Sequence, residues 1–173
     1  MAFSKIAAEN LGGSTLPALA GGSLTGISTA LTPMWYARRN ADQAISHNTF
    51  TKVEFNVEVL DTNSAYDSTT NYRFTVPSGM AGKYYIEGNV SFYDMAPQEH
   101  HYVEIRKDGG NVSPQPSGIT DSTDDTDRYM QGISGIIDLA VGEYVEIYGY
   151  VHAGGSDETA TMSQSWFLGY KIG

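Results

Sequence analysis

KYYIEGNVSFY, residues 83 to 93, decides the fold class: Tyr84, Ile86, Val90 and Phe92 fall in register on one side of it. A period of two marks an extended strand with one face on a core. The same period recurs along the chain. TKVEFNVEVL (51–60) sets Val53, Phe55, Val57 and Val59 against Lys52, Glu54, Asn56 and Glu58. HYVEIRK (101–107) places Val103 and Ile105 inward, and SQSWFLGYKIG (163–173) ends with Trp166, Leu168, Tyr170 and Ile172 alternating. Between the runs stand DTNSAYD, PSGMAG, KDGGN and HAGGSD, whose residues turn the chain. YARRNADQAI (36–45) comes nearest to an amphipathic helix and has too few apolar positions. The pattern predicts an all-β fold, an antiparallel sandwich of many short strands in two packed sheets.

One strand has two greasy faces. In DLAVGEYVEIYGYV (138–151), Val145, Ile147 and Val151 lie on one side and Tyr144, Tyr148 and Tyr150 on the other. A sandwich buries only one face of each strand, so the second meets something else, most simply another copy of the chain. Tyrosine suits a subunit contact, with a large ring for area and a hydroxyl for the wet rim. Tyr85, Tyr102, Tyr144, Tyr148 and Tyr150 are therefore candidate interface residues. The plainer account is that outward tyrosines favour strands.

With 173 residues, 40 % of them hydrophobic, the chain suits one domain plus an appendage. There is no Cys, which excludes disulfides, thiolate metal sites and cysteine nucleophiles. A net charge of -10 argues against nucleic acid as a partner, since phosphate-backbone binding wants clustered Lys and Arg. No run of about 18 apolar residues is present, so no membrane insertion is expected. The first residues lack the basic, apolar, small-residue order of a secretion signal, so an extracellular role implies another route out.

Residues 1–33 differ from the rest: one Lys, one Glu, Phe3 as the one aromatic, and much Gly, Ser, Thr and Ala. So light a segment cannot bury enough apolar surface to fold alone. Its spaced Ile6, Leu16, Leu19, Leu24, Ile27 and Leu31 suit an extended arm ordered against a partner. Fully extended, the arm reaches on the order of 100 Å. A flexible leader with incidental leucines is the alternative. Residues 34–173 form the predicted sandwich.

No catalytic constellation emerges. His47, His100, His101 and His152 lack metalloprotease spacing, and adjacent His100 and His101 in a strand point to opposite faces, which reads as a coincidental surface pair. Neither a Gly-x-Ser-x-Gly elbow nor a phosphate loop is present. The sharpest local oddity is TDSTDDTDRY (120–129), which crowds Asp121, Asp124, Asp125 and Asp127 before Arg128 and Tyr129. Such oxygen-rich loops can chelate calcium, although the Gly and Glu of a calcium loop are missing. A solvated loop is the other reading. With SPQPSG (113–118) it forms a long connection, where recognition commonly sits. Asp121, Asp124, Asp125, Arg128 and Tyr129 are the recognition candidates, with a surface glycan or protein as target.

From Met34 onward the order of features resembles the C1q-like domain, a trimer-forming jelly roll related to the tumour necrosis factor fold. Phe55, Asp61, Tyr66, Phe74, Gly82 and Tyr84 follow the family's signature order. GISGIIDLAVGEYVEI (132–147) resembles its late-strand entry and SWFLGYKI (165–172) its closing strand. Two loops are longer than usual, Ile86 and Gly88 replace aromatic positions, and no collagen stalk is present. The resemblance implies a homotrimer and a non-enzymatic role, with calcium bound in some members and no other cofactor. MAFSKI and LPALAGGSLTGI resemble the openings and repeats of bacteriophage tail-fibre and virion appendage proteins. Together they imply a virion protein assembled in the host cytoplasm. Phe3, Ile6, Leu16, Leu19, Leu24 and Ile27 would dock on another virion protein, and a trimeric knob would bind the host surface. Particle decoration without host binding, a glycan-active enzyme and a secreted ligand are the competing functions.

Overall fold

The computed structural model describes residues 33–93, 100–114, 117–119, 128–152 and 160–172, and the regular elements among them are all strands. Strands β11 (Tyr129–Leu139), β7 (Gly82–Tyr93), β13 (Ala160–Lys171), β1 (Met34–Arg38) and β4 (Val57–Asp61) lie side by side in the first sheet, and β2 (Gln43–Ile45) also pairs with β13. The second sheet runs β10 (Ser117–Ile119), β8 (His100–Lys107), β12 (Tyr144–His152), β6 (Arg73–Thr75) and β5 (Tyr66–Asp67). Two short strands complete it, β3 (Thr51–Lys52) on β12 and β9 (Gly110–Asn111) on β8. All these pairings are antiparallel, and most join strands far apart in sequence.

Aromatic residues from both sheets meet in the core. Trp35 of β1 stacks on Phe74 of β6 with ring centres 3.8 Å apart, and Phe167 of β13 meets the indole edge-on at 5.4 Å. Phe55, Tyr66 and Tyr84 close around them, all buried. Each such ring contributes roughly 1.5–3 kcal/mol by leaving water. Four residues of the signature order thus have a structural account, and a fifth, Asp61, accepts backbone N–H bonds from Asn63, Ala65 and Tyr66 to hold the turn. Gly88 and Gly169 stand where the packing leaves no room for a side chain. A Cβ on Gly88 would lie 2.9 Å from the Ile147 side chain, so the position that usually holds an aromatic is empty here because Ile147 of the facing sheet fills it.

The expected inward residues of β7, β8 and β12 are buried: Tyr84, Ile86, Val90, Phe92, Val103, Ile105, Val145, Ile147 and Val151. Three expectations need correction. The alternation of 51–60 does not form one strand. Val53 and Phe55 are buried, whereas Val59 is 51 % exposed. The chain leaves the second sheet at Lys52 and enters the first at Val57, so the two halves obey different cores. Local partners satisfy the crossing. Val53 N–H donates to Ile147 O (2.9 Å), Glu54 N–H to the Gln43 side-chain oxygen (3.0 Å), and Arg39 donates to Glu54 O. Tyr66 OH donates to Phe55 O at 3.2 Å.

The closing strand is the second correction. Its inward residues are Ser165, Phe167 and Gly169, and the more hydrophobic-looking set Trp166, Leu168 and Tyr170 faces outward. A bulge between Ser163 and Trp166 sets this phase, with Gln164 at φ 46° and Ser165 Oγ accepting the Ser91 N–H at 3.0 Å. Third, His100 and His101 do point to opposite faces, but they are not a surface pair: His101 is buried beside Phe92 and Tyr129.

Candidate functional site

The sandwich presents two outward faces of different chemistry. On the first sheet, register aligns outward residues into rows. One runs Ile136, Tyr85, Tyr170, Met34; the next runs Ser134, Glu87, Leu168, Tyr36, Leu60. Asn89, Trp166 and Arg38 align in a third. Ile136 is 64 % exposed, Met130 on the same strand 61 % and Leu60 43 %. Tyr85 packs on Tyr170 at 5.4 Å and its hydroxyl donates to Glu87 at 2.9 Å, a bond that raises the phenol's pKa. The polar residues in these rows are Ser134, Glu87, Asn89 and Arg38, and the other eight are aliphatic or aromatic.

The second sheet's outward face is aromatic too, but the chain covers it with its own cations. The Arg73 guanidinium lies 3.8 Å over the Tyr144 ring and Arg106 lies 3.9 Å over Tyr148. Phe50 packs on Tyr150 at 4.7 Å, and Tyr102 meets Tyr150 edge-on at 5.5 Å. Two carboxylates lie buried between the rings: Glu146, paired with Lys52, and Glu104, paired with Arg106. Burial, and then the charge of Glu146, raise the pKa of Tyr148. A buried carboxylate keeps its charge only with such partners. Residues of the same chain thus cover part of the tyrosine side of β12, over Tyr144 and Tyr148.

The five interface candidates divide accordingly. Tyr85 belongs to the first face, whereas Tyr102, Tyr144, Tyr148 and Tyr150 belong to the second. Among the recognition candidates, Arg128 sits over the Tyr93 ring at 5.1 Å. Tyr129 is half-buried, packs against the core and lies 6.0 Å from His101. Asp121, Asp124, Asp125 and Asp127 lie outside the described residues, as do all the anchoring candidates from Phe3 to Ile27 and Leu31. Among the described residues, no three His, Asp or Glu side chains come together as a metal-holding group.

Sequence reading passed over Met130, Ile136, Leu168, Tyr36, Arg73 and Phe50. For β11 the signal was present, because YMQGISGII carries apolar residues on both alternating sides, as β12 does. For Arg73 and Phe50 it was not, since only the folded register brings them over Tyr144 and Tyr150.

No family model matches the sequence, and no curated protein matches it. Solved structures do resemble it. The globular domain of zebrafish complement 1qA protein has a TM-score of 0.56 at 18 % identity over 82 % of this chain and 98 % of that one. A tumour necrosis factor from S. frugiperda, Eiger, has a TM-score of 0.56 at 12 % identity over 81 % and 92 %. Murine APRIL has 0.53 at 14 % identity over 80 % and 98 %. With two antiparallel sheets in this strand order, the chain is an all-β jelly-roll sandwich of the C1q/tumour necrosis factor-like type.

Proposed function

We propose that this chain is a non-enzymatic structural subunit of a bacteriophage particle, a homotrimeric appendage with a jelly-roll knob that contacts the host surface. The observation that carries the reading is the outward face of the first sheet, where Ile136, Tyr85, Tyr170, Met34, Leu168, Tyr36 and Leu60 form continuous rows. Proteins that stay monomeric rarely leave so continuous an apolar patch in water. A second and third copy of the chain would cover it, and trimers are what the C1q-like resemblance implies. The phage assignment rests on MAFSKI and LPALAGGSLTGI, whose arm would dock on the particle.

Sedimentation of the full chain tests the assembly. A trimer is expected, and Ile136→Asp with Leu168→Glu is expected to give folded monomer. Roughly 2 kcal/mol lost per copy sums to about 6 kcal/mol per trimer, or about four decades in the assembly constant. A monomeric wild type at micromolar concentration would overturn the reading. Blocking of infection by the purified protein distinguishes host recognition from decoration.

A further inference from the structure

We infer that a cleft on the second sheet, lined by Phe50, Tyr102, Tyr150 and His152, binds a neutral saccharide. The inference deepens the surface-recognition reading and rests on it for the biological role of the ligand. It assigns the contact to the aromatic sheet face, not to the acidic loop.

Register builds the cleft. Tyr102 of β8 and Tyr150 of β12 are direct cross-strand partners, as are His100 and His152 two residues on. Phe50 comes from the connection before β3. The rings do not close into a flat stack. Phe50 is tilted 37° to Tyr150 and Tyr102 stands at 67° to it, and the touching rings line an open, shallow cleft of about 450 Å³. That is ample for one or two pyranose rings, whose C–H faces pack on aromatic π surfaces.

Asn48 holds the polar side in place. Its backbone sits in the left-handed region at φ 55°, and its N–H donates to Val151 O at 2.8 Å. Its side-chain oxygen accepts the Tyr150 hydroxyl at 2.9 Å and lies 2.6 Å from His152 Nδ1. An amide oxygen has no proton to give, so Nδ1 carries the proton. In the neutral imidazole, Nε2 of exposed His152 is then an acceptor, suited to a sugar hydroxyl. His47 stacks beside His152 at 5.7 Å and supports that ring.

Charge selects the ligand class. The four described lining side chains bear no formal charge with His152 neutral, and Arg106, which lies over Phe50, is paired with Glu104. A protein of net charge -10 repels uronates and sialates in solution. Aromatic walls with a neutral hydrogen-bonding rim match a neutral hexose or N-acetylhexosamine. Three such cleft sites on one knob convert weak single contacts into firm attachment.

The test is ligand-observed NMR on the full-length protein with glucose, galactose, mannose, N-acetylglucosamine and their disaccharides. Glucuronate and sialate serve as charged comparisons and an aromatic hexapeptide as a protein-like one. At least one neutral sugar is expected to bind in the millimolar range, and Tyr150→Ala to weaken it by about tenfold or more. His152→Ala, at an exposed site, removes the Nε2 acceptor without threatening the fold and is expected to weaken it by about fivefold. The monomeric Ile136→Asp, Leu168→Glu chain should keep the single-site affinity. Failure of every neutral sugar, tighter binding of the acids or the peptide, or binding indifferent to both cleft variants would overturn the assignment. Sugar binding without any effect on infection would leave the cleft standing and sink the host-recognition reading.

Discussion

Gly169→Ala is the sharpest probe of how the two sheets are locked. A Cβ at this position would lie 2.3 and 2.5 Å from two ring carbons of Trp35 and 2.8 Å from Tyr85 O. Carbon atoms rest at about 3.5–4.0 Å, so the indole must retreat by more than about 1 Å. Phe74 stacked at 3.8 Å on one side and Phe167 at 5.4 Å block that retreat. Overpacking of this kind costs about 1–3 kcal/mol, and disturbing the stack adds about 1 kcal/mol. Removing a glycine restricts the unfolded chain and returns about 0.5–1 kcal/mol. The net loss is about 1–3 kcal/mol, a fall in Tm of about 3–10 °C for a chain of this size. Thermal unfolding followed by circular dichroism measures it, and the double variant with Trp35→Phe should recover part of the loss. A Gly169→Ala protein as stable as the wild type would refute the close-packed account, as would full additivity in the double variant.

Two further outcomes follow from buried polar groups. Burial, and secondarily the charge of His100, lower the pKa of His101. The unfolded chain therefore takes up a proton near pH 6.5 that the folded chain resists, so stability falls as pH drops below about 6.5 until the lowered folded value is reached. His101→Phe should flatten urea-derived stability between pH 7 and 5; an unchanged slope would acquit the residue. Tyr148→Asp would set a third carboxylate beside buried Glu146 and Glu104 and remove the ring under Arg106, costing about 2–4 kcal/mol, while Tyr148→Phe should stay within about 1 kcal/mol of wild type. Chemical denaturation checks both, and an oligomer that dissociates with its fold intact would instead make this face a subunit contact.

Sequence made the β class legible because a period of two needs only local chemistry, and β7 and β8 bury the residues their spacing indicates. It failed where tertiary events reset the phase. Lys52 and Val57 belong to different sheets, and nothing in TKVEFNVEVL marks the crossing. In β13 a bulge at Gln164 turns Phe167 inward and Trp166 outward, although both are equally apolar in the text. The tyrosines of β12 were visible as an unexplained second face. Their covering residues, Arg73, Arg106 and Phe50, come from three separate segments and become neighbours only through the register. The Asn48 turn was invisible for the same reason: its partners Tyr150 and His152 lie about a hundred residues away.

The division of labour between the two faces follows from where the charges went. Lys52 and Arg106 neutralise carboxylates buried in the second sheet, and Arg73 stacks on a tyrosine there. A subunit packed on that face would have to strip water from Lys52 and Arg106, which remain partly open, for little new apolar contact. Covering the first sheet asks less. Its rows hold mostly aliphatic and aromatic side chains, so the same area removed from water yields more and desolvates fewer charges. A chain that can join copies at one face and needs another for a target therefore gains by putting its cations under the tyrosines. The face that is polar enough to stay wet keeps the cleft of Phe50, Tyr102, Tyr150 and His152 open to solvent, on the sheet opposite the proposed subunit contact.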